Sequence, residues 1–126
     1  MAKIGDTTYV DPASVQYGDV AVGEYSSLWP CSVIRGDFAP IRVGSFTSIQ
    51  DNCTLHSAPG SPVTVGDLVT VGHGAVIHGC TIEDGCLIGM GAVILDNAVI
   101  GSGTIVAAGA VVRERTNVPV GSLVRG

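Results

Sequence analysis

The sequence predicts an all-β fold, a parallel β-helix of hexapeptide repeats wound into about seven triangular coils with little or no α-helix. Three observations carry this. First, an aliphatic residue recurs at every sixth position from Ile4, through Val10, Val22, Leu28 and Ile34, with Gln16 the one clear exception. The phase slips and resumes as Val43, Ile49 and Leu55, then slips again to Val65, Val71 and Ile77. It drops one residue before Ile82, Ile88, Ile94, Ile100, Val106, Val112 and Val118. Second, the residue four places after each is mostly small or β-branched, as at Ser26, Thr47, Cys53, Ala75, Thr81, Cys86 and Ala98. Third, glycine often follows the aliphatic residue directly, as at Gly5, Gly23, Gly44, Gly66, Gly72, Gly89 and Gly101. An amphipathic helix needs apolar residues at three-to-four spacing, and no segment shows it.

Each part of the hexapeptide has a physical task. The aliphatic residue fills a narrow interior, the small one fits beside it, and glycine relieves the bend at the corner. Three hexapeptides close one coil, so a residue stacks above the one three repeats earlier, about 4.8 Å away, the ordinary strand spacing. Residues 1–126 therefore read as one elongated domain. Two short excursions interrupt it, Arg35–Arg42 and Ser57–Thr64.

Composition narrows the function. Glycine is abundant at 18 residues, while aromatic residues make up 5% and charged residues 13%, as narrow coils require. The mean hydropathy is positive, yet no apolar run is long enough to span a bilayer. A net charge of −5 argues against nucleic acid and anionic membranes as partners. The start, Met1-Ala2-Lys3-Ile4-Gly5-Asp6, enters the repeat at once, which predicts no signal peptide. Cys53 and Cys86 fall on small interior positions, whereas Cys31 and Cys80 lie off that register. No short paired spacing suggests a cysteine zinc site, although Cys80 stands close to His78. A reducing cytoplasm is the expected location.

The chain has three histidines, His56, His73 and His78, and the repeat fixes where each points. His56 follows Leu55 and His78 follows Ile77, and three repeat steps separate those aliphatic residues. The two histidines are therefore expected to stack one coil apart on one edge, with Arg35 a coil below. His73 belongs to the previous corner, one coil above Gln50 and Asp51. Along an extended face, His73 and His78 lie roughly 16 Å apart at 3.3 Å per residue. A histidine Cα sits about 6 Å from a zinc it binds, so two ligands span roughly 12–13 Å at most. His56 and His78 can share an ion within one chain. If all three do, His73 must come from a second subunit, and a cyclic trimer would repeat that contact three times.

The residues Arg35-Gly36-Asp37, Gln50-Asp51-Asn52, His56, Gly72-His73 and His78-Gly79-Cys80 together resemble the active-site signature of γ-class carbonic anhydrases. The likeness runs through nearly the whole chain, including Leu87-Ile88-Gly89-Met90-Gly91-Ala92 beyond the site. It implies a left-handed β-helix, where the general crossover rule alone would favour the right hand. It implies a homotrimer with a metal at each subunit interface, held by His56 and His78 of one chain and His73 of the next. Three imidazoles leave a coordination position for water, as in catalytic zinc sites. The metal would lower that water's pKa to about 7, and the metal-bound hydroxide would hydrate carbon dioxide reversibly to bicarbonate. Zinc is the expected ion; iron(II) and cobalt(II) suit the same ligands. Gln50 resembles the residue that orients the hydroxide. Arg35 and Asp51 are expected to pair across the subunit interface, and Asp37 to orient a ligand or close that network.

Two departures from the family bear on activity. Some members carry glutamates near the site as proton shuttles, whereas here Phe38 follows Asp37 and the loop Ser57-Ala58-Pro59-Gly60-Ser61-Pro62 has no acid. Proton export then limits turnover, and slow catalysis is expected. Relatives also usually continue into an α-helix, while nothing after Val112 reads as helical, so a short form is expected to depend on its trimer. Two rivals remain. One is a metal-binding or assembly homologue with little hydration activity. The other is a hexapeptide-repeat acyltransferase or thioesterase, which would use one histidine as general base. The remaining residues have structural readings: Trp29 at the subunit interface, Tyr9 and Tyr25 at the surface or interface, and Arg113-Glu114-Arg115 as a solvated corner.

Overall fold

The computed structural model describes residues 2–126; Met1, the first residue of the expected domain, lies outside the described residues. The described chain is a stack of parallel strands without a helix, and its aliphatic residues form three columns. The first runs Ile4, Val22, Val43, Val65, Ile82, Ile100, Val118. The second runs Val10, Leu28, Ile49, Val71, Ile88, Val106, Val124. The third runs Gln16, Ile34, Leu55, Ile77, Ile94, Val112. Seven coils with three faces follow, in the register that the hexapeptide spacing predicts. No helix of the structure is long and apolar enough to cross a membrane.

The columns hold because each strand offers a two-residue alternation, with one side chain inward and its neighbour outward. Leu28, Ile34, Ile49, Leu55, Ile77, Ile88 and Ile94 are fully buried. Gln16, near the N-terminal end, is only half-buried and donates from Nε2 to Ser14 Oγ at 2.8 Å, which satisfies its amide where an aliphatic residue would otherwise stand. The small inward residues do a second job. Their hydroxyls and thiols donate to corner carbonyls one coil away: Ser26 to Gly44, Thr47 to Gly66, Cys53 to Gly72 and Cys86 to Gly101. Among the described residues no buried side-chain nitrogen or oxygen lacks a partner. Buried hydroxyls are costly when unpaired, so this ladder removes the penalty of a partly polar interior.

Two expectations change in detail. Counting forward from Ile77 puts Thr81 inside; the structure buries Cys80 instead and leaves Thr81 half-exposed. The missing residue before Ile82 is the reason, because the small position is fixed by the strand that follows it, and Cys80 stands two before Ile82. Cys80 is thus a core residue and not a ligand beside His78. Burial pushes its thiol up to about 12, with the nearby Asp96 charge acting in the same direction. The second change concerns Arg35–Arg42, which is no loop: Val33–Val43 is one bent strand that links two faces. It pairs with Val15–Val22 on one side, with a register shift between Gly18 and Val20 where the extra residues bulge.

The cysteines make a direct test of this interior. Cys53, Cys80 and Cys86 are buried and Cys31 is exposed. Native protein at pH 8 should react quickly with an aromatic disulfide reagent at no more than one thiol per chain, with the rest released by denaturant. A second fast thiol would contradict the packing described.

Candidate functional site

The third face ends in a corner where residues one step past the aliphatic column turn outward. Tyr17, Arg35, His56 and His78 stack there in successive coils. His56 and His78 sit directly above one another, with ring centres 5.0 Å apart and planes near perpendicular. Two imidazoles sharing a tetrahedral zinc have ring centres roughly 5 Å apart, given Zn–N bonds near 2.0–2.1 Å. The pair therefore fits one ion, by donor chemistry and by spacing.

A carboxylate holds each histidine. Asp37 Oδ1 lies 3.0 Å from His56 Nε2, and Arg35 Nε approaches the other Asp37 oxygen at 3.7 Å. The bend of the Val33–Val43 strand delivers Asp37, and Ser57 secures it: the buried Ser57 Oγ accepts the Ala39 N–H at 3.0 Å. Partial desolvation works against the charge of Asp37. The hydrogen bond with His56, its own backbone N–H and the Arg35 guanidinium outweigh that, so its carboxyl sits below the usual carboxylate range. Asp96 bonds His78 through Nδ1, the opposite ring nitrogen. The Phe38 ring closes over His56 at 5.7 Å.

His73 stands at a different corner, between the second and third faces. Its neighbours below are Gln50 and Asp51, for Gln50 N–H donates to Val71 C=O and Gly74 N–H to Asp51 C=O. His73 Nδ1 lies 3.4 Å from Asp51 Oδ1. Gly74 follows with φ of +70°, in a vertical series of left-handed turn residues that includes Cys31, Asn52, Gly91 and Gly109. That turn throws the preceding side chain outward. His73 is 55% exposed, against 15% for His56 and 31% for His78. Trp29, Gln50, Asp51 and His73 line one groove. Beside it runs an apolar groove bounded by Leu87, Met90, Ile105, Ala107 and Ala108, with His73 at its rim.

Within one chain, then, the structure brings Arg35, Asp37, His56 and His78 together and keeps Gln50, Asp51 and His73 apart from them. Among the described residues, no three or more His, Cys, Asp or Glu side chains are arranged to hold a metal ion. Arg35 faces Asp37 and Asp51 faces His73 in the isolated chain. Sequence reasoning missed Asp96. Its signal was available in Gly79, which lies one coil below Asp96 and leaves room for the carboxylate to reach down.

Known proteins match this chain along nearly its whole length. Residues 79–114 fit the family described as bacterial transferase hexapeptide (six repeats). A "Probable carbonic anhydrase" of Methanocaldococcus jannaschii is 54% identical over 123 residues, covering 98% of this chain and 77% of that protein. "Gamma carbonic anhydrase 2, mitochondrial" of Arabidopsis thaliana is 46% identical over 124 residues, covering 94% of this chain but 45% of the plant protein. Among solved structures, a hexapeptide transferase family protein from Anaplasma phagocytophilum superposes with a TM-score of 0.95 at 34% identity, covering 99% of this chain and 74% of that one. The coils and repeats define a hexapeptide-repeat β-helix protein. Identity and coverage of this order go further, and the chain belongs to the γ carbonic anhydrase family.

Proposed function

We propose that this protein is a carbonic anhydrase of the γ type, interconverting carbon dioxide and bicarbonate at metal sites between the subunits of a homotrimer. The observation that carries the reading is the stacked pair His56 and His78, spaced for one ion, with His73 held outward at another corner. An ion on that pair lacks a third imidazole from its own chain. A neighbouring subunit that presents its His73 edge completes the set, and a cyclic trimer makes every such junction equivalent.

Zinc, iron(II) or cobalt(II) would be held by His56 and His78 of one chain and His73 of the next, and would make a water nucleophilic at neutral pH. The chain's own residues do the rest. Gln50 lies in the groove with His73, where its amide can orient the attacking oxygen. Asp37, paired with Arg35, bonds His56 at Nε2, so an ion held by His56 would displace that contact or bind through Nδ1. Asp51 braces His73 and is free to meet Arg35 of another subunit once the edges join. The acids near the histidines are engaged with imidazoles, and Phe38 occupies the approach to His56. Proton export then falls to buffer, and hydration is slow for the family.

The apolar groove beside His73 favours one second reading, acyl transfer with His73 as general base and the acyl chain in the groove. Metal dependence separates the two. Protein reconstituted with zinc, or with iron(II) without oxygen, should hydrate carbon dioxide above the buffer rate in stopped flow. His73→Ala should lose at least 100-fold. Full metal binding without hydration would leave a metal-holding assembly protein, and activity on acyl thioesters without metal would establish the transferase.

A further inference from the structure

We propose that Asp96 is the positioning residue for His78, fixing it as the Nδ1–H tautomer so that Nε2 is presented outward as a donor. The inference rests on the metal reading above. Its structural basis does not.

Three features place the carboxylate. His78 Nδ1 lies within hydrogen-bond reach of Asp96 Oδ1, and because a carboxylate can only accept, the contact calls for a proton on Nδ1. Gly79, directly below Asp96 in the stack, makes the reach possible: a Cβ there would lie 2.9 Å from Asp96 Oδ1 and 3.1 Å from its Cγ. Gly79 also adopts φ of +57°, which other residues resist. The next residue clamps the corner. Asn97 takes φ of +63°, donates its N–H to Gly79 C=O at 2.7 Å, and accepts the Ser61 hydroxyl at Oδ1 at 3.0 Å. The Arg115 N–H bonds Asp96 C=O from the coil above. Backbone on both sides therefore sets the Asp96 side chain, and no long side chain has to find its position.

The two stacked histidines differ in a way that gives Asp96 its consequence. Asp37 engages Nε2 of His56, whereas Asp96 engages Nδ1 of His78. Of the pair, among the described residues, His56 meets a carboxylate at Nε2 and His78 at Nδ1, which leaves the Nε2 of His78 as its free donor. A carboxylate behind a ligand imidazole fixes its ring and raises its basicity, and losing such a partner typically costs 10- to 100-fold in metal affinity. His78 is thus the preset ligand of the site.

The test reads the tautomer first, in the metal-free assembly. Long-range proton–nitrogen NMR at pH 8, above the ordinary imidazole range, should show His78 protonated at Nδ1 and unprotonated at Nε2. In Asp96→Ala the Nε2–H form should dominate. Asp96→Asn, whose amide oxygen still accepts from Nδ1–H, should restore the wild-type tautomer. Zinc affinity by chelator competition should fall about 10- to 100-fold in Asp96→Ala and recover most of it in Asp96→Asn. Cobalt(II) absorption should lose intensity in the first and keep it in the second. Gly79→Ala, with Asp96 intact, should weaken zinc in the same way, and the double variant Gly79→Ala, Asp96→Ala should be no worse than Asp96→Ala alone. An unchanged His78 tautomer in Asp96→Ala overturns the inference, as does equal zinc affinity in a wild type that binds zinc. A wild type that shows the expected tautomer but takes up no metal sinks the carbonic anhydrase reading and the ligand role with it.

Discussion

Chains carrying His73→Ala and chains carrying His78→Ala, each inactive alone, should recover about a quarter of wild-type activity and metal content when refolded together in equal amounts. The arithmetic comes from where the histidines stand. His56 and His78 share one corner and His73 occupies another, so a junction is complete when one chain supplies the pair and its neighbour supplies His73. A His73→Ala chain keeps the pair; a His78→Ala chain keeps His73. In random trimers, half the chains are of the first kind and half of their neighbours are of the second. Mixing His56→Ala with His78→Ala should recover nothing, because both changes damage the same half-site. An ion held within one chain predicts no recovery in either mixture, and recovery in both would mean that the histidines are interchangeable. The pair of mixtures therefore reports the geometry of the interface as well as its existence.

That geometry was largely legible in the sequence because a solenoid turns spacing along the chain into stacking in space. Ile34, Leu55 and Ile77 are consecutive in one column, and the residue after each, Arg35, His56 and His78, must share the edge. What spacing could not give was anything that depends on where the period breaks. Thr81 looked interior when counted from Ile77, yet the strand that follows sets the register and buries Cys80. Arg35–Arg42 read as an excursion because its extra residues disturb the period, although the backbone stays extended and bonded through them. Asp37 was singled out, but its bond to His56 depends on that bend and on Ser57 in the coil above it. Asp96 escaped because its partner lies in the coil below, and only the glycine between them marks the path.

The interior carries the second large effect. Leu55→Ala should cost about 2–5 kcal/mol and lower the melting temperature by roughly 10 °C or more. Leu55 is fully buried, with Ile34 below and Ile77 above in the same column. Truncation leaves a void that neither neighbour can close, because each is fixed by its own backbone ladder at the strand spacing. In a stacked-coil protein each coil touches only those adjacent to it, so the loss is concentrated at the junctions on either side of the void. Those junctions carry the site: His56 follows Leu55 directly, and His78 follows Ile77. Metal affinity should therefore fall along with stability, measured at a temperature where the variant is still folded. Arg113→Ala, at an exposed polar corner two coils above Ile77, should change stability by no more than about 0.5 kcal/mol and leave the metal unaffected. A Leu55→Ala protein that melts within a degree or two of wild type would mean that the column does not pack as a continuous core. The placement of His56 above Arg35 and below His78 would then lose its physical basis, because the column is what sets it.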